Sequence, residues 1–132
     1  MAKGIDASRV DFVSIPVRDK DRAAKFYAET LGLQLNPLSS DGWPEFETDN
    51  VTLAVVVPDA LGLEFEPLPF GSVAIRVPDV GEVRAKLEAA GIEFERDTFD
   101  SGVCHMAFFR DSEGNGLMIH HRYAPYSDGS TP

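Results

Sequence analysis

The sequence predicts an α+β domain made of two βαβββ modules, and three observations carry that reading. The segments FVSIPVRD (Phe12 to Asp19) and SVAIRVPD (Ser72 to Asp79) repeat the same apolar alternation and final Asp at an offset of 60. An amphipathic stretch ending in glycine follows each copy, and three short apolar segments separated by turn residues follow each helix. A repeat of this kind marks one folding unit used twice.

Taken in order, Val13, Ile15 and Val17 alternate as in a half-buried strand, and Asp19 can cap the helix that follows. In KDRAAKFYAETLG the residues Ala23, Phe26, Tyr27 and Leu31 fall on one helical face, and Gly32 supplies the stop. Strands are expected at Leu33 to Leu38, Glu45 to Thr48 and Val51 to Val57, with Asp49-Asn50 as a tight reversal. The segment from Pro58 to Gly71 carries three prolines, Pro58, Pro67 and Pro69, and reads as an extended connector. The second module repeats the plan. Val73, Ile75 and Val77 form the strand, Asp79 the cap, and Val80, Val83, Leu87 and Ala90 the buried helical face, with Glu82 three residues past the cap and Gly91 as the stop. Strands follow at Ile92 to Arg96, Cys104 to Arg110 and Leu117 to Arg122, the last two joined by the turn from Asp111 to Gly116. Residues 1–132 thus form a single domain: module one at about 10–57, connector 58–71, module two at about 72–122, and a loose tail at 123–132.

The length of 132 residues, with 43% hydrophobic and 26% charged residues, suits a domain that fills its own core without a staple. The single Cys104 reads as a free buried thiol, and no apolar run approaches the length of a membrane span, so a cytoplasmic location is expected. The formal charge of −10 divides into −6 on residues 1–66 and −4 on residues 67–132. Such a field repels phosphate backbones and anionic lipid, which argues against nucleic-acid or membrane partners and favours encounter with cations.

The two modules, with "VRDKDRAAKFYAETLGL" in the first and "FFRDSEGNGLMIHH" in the second, resemble the vicinal oxygen chelate superfamily, which groups glyoxalases, bleomycin-resistance proteins and dioxygenases. The resemblance covers about residues 10–122 and implies a curled mixed sheet whose concave side forms a ligand cup, with helices on the convex side. Metal enzymes of that superfamily place His, Gln or Glu at four positions. Here these fall on Phe12, Ala54, Ser72 and Met118. Divalent metals need several converging oxygen, nitrogen or thiolate donors, so the resemblance without its ligands implies no metal and no cofactor.

Strand alternation lets the cup wall be written out. With Val13, Ile15, Val73 and Ile75 facing the helices, Phe12, Ser14, Pro16, Ser72, Ala74 and Arg76 face the cup. Pairing Phe109 with Leu117 adds Cys104, Met106, Phe108, Met118 and His120; pairing Phe46 with Leu53 adds Trp43, Glu45, Glu47, Thr52, Ala54 and Val56. The candidate ligand-binding residues are therefore Phe12, Ser14, Trp43, Glu45, Ala54, Ser72, Met106, Phe108, Met118 and His120. Arg76 is expected to balance Glu45 or Glu47, and His105 and His121 to point away from the wall. His120 is the candidate general base if there is catalysis.

Three functions compete. The first is a small-molecule binding protein similar to the bleomycin-resistance branch, holding an aromatic or cationic antibiotic in a metal-free cup formed by a homodimer. The second is a glyoxalase- or dioxygenase-like lyase or isomerase that uses displaced ligands or His120. The third is a partner module with no small ligand, told apart by whether a ligand raises the melting temperature. The missing metal ligands argue against an enzyme and for the first.

Overall fold

The computed structural model describes residues 4–132. Strand β1 (Phe12–Pro16) leads through the cap Asp19, whose side chain accepts from the Arg22 backbone N–H, into α1 (Lys20–Lys25). The helix does not run on as a regular α-helix to Leu31. It widens into a π-turn over Phe26–Thr30, closed by the Leu31 N–H donating to the Phe26 carbonyl at 3.0 Å. A π-turn shifts the helical face, and here both Phe26 and Tyr27 are buried although they are adjacent in sequence.

Strands β2 (Gln34–Leu35), β3 (Glu45–Glu47) and β4 (Thr52–Val56) complete the first sheet in the order β1-β4-β3-β2, with β1 parallel to β4. Strands β5 (Val73–Arg76), β6 (Phe99–Asp100), β7 (Cys104–Arg110) and β8 (Gly116–Arg122), with α2 (Val80–Ala89), repeat this topology as β5-β8-β7-β6. The fold is α+β with two open mixed sheets. The expected pairings of Phe46 with Leu53 and of Phe109 with Leu117 are present in the ladders.

Besides the π-turn, several elements differ from the sequence reading, and of the strand expected at 33–38 only Gln34–Leu35 pairs. The segment 92–96 forms no ladder: Phe94 makes an isolated bridge to Phe109, and the strand that pairs with β7 is Phe99–Asp100. Phe94 is drawn instead into the core beside Phe109, with ring centroids 5.3 Å apart, so burial outweighs the strand pattern. At the start of the C-terminal segment the Tyr123 and Ala124 N–H groups both donate to the Val103 carbonyl. The connector begins with one 3-10 turn, Pro58–Leu61, before running extended.

One core serves both modules. Ile15, Val17, Phe46, Leu53 and Val55 of the first sheet and Ala107, Phe109, Leu117 and Ile119 of the second lie in the same apolar cluster with Tyr27, Val80 and Leu87. The modules are then clasped by a buried polar turn. Asp111 accepts from the Glu113 and Asn115 N–H groups and from the Tyr27 hydroxyl. The Asn115 side chain donates to the Pro16 carbonyl and accepts from the Leu68 N–H, so it touches module one, the connector and its own turn together. Glu113, its side chain fully buried, accepts from the Arg18 and Asp19 N–H groups and from the Arg22 guanidinium at 2.7 Å. Burial pushes its carboxyl up, but these donors outweigh that and hold it at about 2.

Candidate functional site

The ladders show which candidate residues share a face. In the first sheet Ser14, Ala54 and Glu45 form one cross-strand row, and Phe12, Thr52 and Glu47 the next. In the second sheet Ala74, Met118 and Phe108 form one row, and Arg76, His120, Met106 and Phe99 the next. Alternation places each pair of rows on the side of its sheet away from the buried set Ile15, Leu53 and Phe46, or Ile119, Leu117 and Phe109. Phe12, Ser14, Glu45 and Ala54 are thus brought together on one wall, and Met106, Phe108, Met118 and His120 on the other.

Trp43 and Ser72 fall outside the ladders. Trp43 is half-buried in the turn before β3, its N–H donating to the Ser40 carbonyl, so strand parity does not set its direction. Ser72 sits at the entry to β5, where its hydroxyl donates to the Pro69 carbonyl at 2.6 Å.

The remaining polar groups sort differently from expectation. Arg76 does not pair with Glu45 or Glu47: it lies in the other sheet, exposed, and among the described residues it makes no ion pair. Glu47 instead accepts from the Thr52 hydroxyl across its own sheet. His105 and His121 face each other in register on the opposite side from His120. His121 contacts the Val77 carbonyl at 3.0 Å, and His105 lies 3.3 Å from Asp100, which also accepts from the Tyr123 hydroxyl. Cys104 is buried and free, 2.9 Å from the Ser101 hydroxyl.

Sequence reasoning missed Phe70. Its ring stacks on Phe108 with centroids 4.3 Å apart and planes at 25°, and the Arg96 guanidinium lies 5.5 Å from the Phe70 centroid. The connector reaches this position because Gly116 leaves room for it. A side chain there would place its Cβ 2.2 Å from the Pro69 carbonyl oxygen. The signal in the sequence was the phenylalanine held between Pro69 and Gly71 just before a strand. A groove of about 610 Å³ runs along β5, bounded by Leu33, Leu53, the turn Thr48 to Val51 and the strand Val73 to Arg76, so Ala74 and Arg76 border it as well.

The residues present do not fit a divalent metal. Phe12, Ala54 and Met118 offer no hard donor, and Ala54 is directly opposite Glu45, with Glu47 one row further along. No group of three or more His, Cys, Asp or Glu side chains converges among the described residues.

Residues 9–119 match the family model described as Glyoxalase/Bleomycin resistance protein/Dioxygenase superfamily, and the chain belongs to that superfamily. Solved structures share the fold. An antibiotic binding protein, TnmS3, from Streptomyces sp. CB03234 aligns with a TM-score of 0.73 at 23% identity over 90% of this chain and 99% of that one. A lactoylglutathione lyase from Agrobacterium tumefaciens aligns at 0.71 and 18% identity, over 86% and 93% of the two chains. A superfamily member from Sphaerobacter thermophilus DSM 20745 aligns at 0.73 and 20% identity, over 86% and 97%. No curated protein sequence matches the chain. Among the described residues no helix is long and apolar enough to cross a membrane.

Proposed function

We propose that this chain is a small-molecule binding protein that holds an aromatic ligand, such as an antibiotic, against the metal-free faces of its two sheets, which a homodimer brings together as cups. The observation that carries the reading is the make-up of those faces. Phe12, Met106 and Met118 supply apolar and aromatic surface over the buried Ala54 and Phe108, and a few polar groups, Ser14, Glu45 and His120, stand among them in register. Ligand sites are commonly built of this mixture. The similarity in fold to an antibiotic binding protein supports the reading, as does Phe12, which is 44% exposed on a strand whose outer edge is free in the chain. An exposed aromatic at an open sheet edge favours association with a second copy.

The alternative is a lyase or isomerase with His120 as general base. His120 is half-buried beside Arg76, and among the described residues its ring makes no hydrogen bond that would orient it. A general base without an orienting partner is poorly prepared, which favours binding over turnover.

The test is a thermal-shift series with aromatic natural products and with divalent metals, together with mass spectrometry of copurified molecules and a mass in solution. Stabilisation by aromatic compounds and a dimer mass are the expected results. A monomer stabilised by a metal and by none of the aromatic compounds would overturn the reading.

A further inference from the structure

The two candidate walls carry opposite charge. On the first sheet the charged residues of the site face are Glu45 and Glu47, with no cation in those rows. On the second sheet the same face carries Arg76, His120 and Arg122, and also Arg110, which is paired with Glu95 at 2.8 Å, in a chain whose formal charge is −10. Arg96 adds a further basic group at its margin, over the Phe70 ring.

These groups are not equally available. Arg122 is held by the C-terminal segment, donating to the Pro125 carbonyl with its guanidinium 5.1 Å from the Tyr126 centroid. Its Nε is buried without an acceptor, so it contributes positive potential more than a free contact. Arg76 is different: it is exposed, lies on the edge strand β5 and has no carboxylate partner among the described residues. In register it faces His120, which faces Met106, and the next row along the strands is Ala74, Met118 and Phe108, with Phe70 stacked on Phe108. Rows two residues apart are separated by roughly 7 Å, about the distance from the outer ring of a fused aromatic to an acidic group attached to it. A guanidinium offers two parallel N–H donors matched to a carboxylate, whereas the Met118 thioether and the exposed Phe70 ring stacked over Phe108 offer surface for a ring.

We propose that the second sheet's face recognises an anionic aromatic molecule, with an ionised carboxylate or similar oxyanion on Arg76 and His120 and the ring against Met118 and the exposed Phe70, which is held in place by its stack on the buried Phe108. This rests on the aromatic-ligand reading above and assigns its ligand class. A ligand that also carries a cation would place it toward Glu45 and Glu47.

Three probes of one shape separate the possibilities: 2-naphthoate, 2-naphthamide and 2-naphthylmethylammonium. Affinities are measured by calorimetry, and the methyl resonances of Met118 and Met106 report the location. The expected result is that naphthoate binds more tightly than the amide by about tenfold, with both shifting the Met118 methyl. Arg76→Gln should remove that preference by weakening the acid, while Arg76→Lys should retain part of it. If acid and amide bind equally and Arg76→Gln alters neither, or if the ammonium binds best, the anion assignment fails while the aromatic site stands. If none of the three binds the folded protein at millimolar concentration, both readings fall.

Discussion

The Tyr27 hydroxyl donates to Asp111 at 2.6 Å, joining the π-turn of the first module to the last β-turn of the second across 84 residues of chain. Both groups are buried, and burial, with Asp111 alongside, pushes the Tyr27 hydroxyl far above its ordinary value and keeps it a donor. Tyr27→Phe keeps the ring and removes this donor. It should lower unfolding free energy by about 1 to 3 kcal/mol in chemical denaturation, because Asp111 is then left one bond short in a buried place. Full stability in the variant would show that the clasp does not join the modules energetically.

Glu113 gives the fold a definite acid response. Its folded value of about 2 lies below the ordinary 4.5, so its stabilisation is complete above about pH 4.5 and is lost as pH falls from there toward 2. The melting temperature should be flat near neutrality and fall through that window. Glu113→Gln should be less stable at neutral pH by roughly 2 kcal/mol, because Arg22 and two backbone N–H groups lose their charged acceptor, and its acid slope should be shallower. Parallel curves for the two proteins would remove this assignment.

Gly116 tests how the connector is seated. Gly116→Ala puts a Cβ into the Pro69 carbonyl, so Phe70 should be displaced from Phe108. The expected outcome is a loss of about 1 to 3 kcal/mol in stability, with a weaker aromatic ligand. Unchanged stability and affinity would mean that the connector has another seat.

Trp43 is the sole tryptophan, which makes it a direct reporter. An aromatic ligand bound beside Glu45 should change its emission, and Trp43→Ala should weaken that ligand by on the order of 1 to 3 kcal/mol. A bound ligand that leaves emission and affinity untouched would place Trp43 outside the site.

If turnover of any substrate is found, His120→Ala should reduce it by roughly a hundredfold or more, the scale of general acid and base assistance. Equal rates would leave the alternative without its base.

The sequence by itself determined the repeat, the helix caps at Asp19 and Asp79, and the parity of nearly every strand, because alternation and capping are local and each needs only neighbours a few residues away. It therefore determined which side of each sheet Ser14, Ala54, Met118 and His120 occupy. Only the tertiary structure decided what those faces meet. That Phe99 rather than Phe94 pairs in a ladder with β7 depended on competition for the core beside Phe109, and the position of Phe70 depended on a connector folding back over Gly116. Strand parity predicts Arg76 opposite Glu45 or Glu47 on one wall, yet those two residues belong to the other sheet. Contacts between distant segments are set by how the modules dock, and no local periodicity records that.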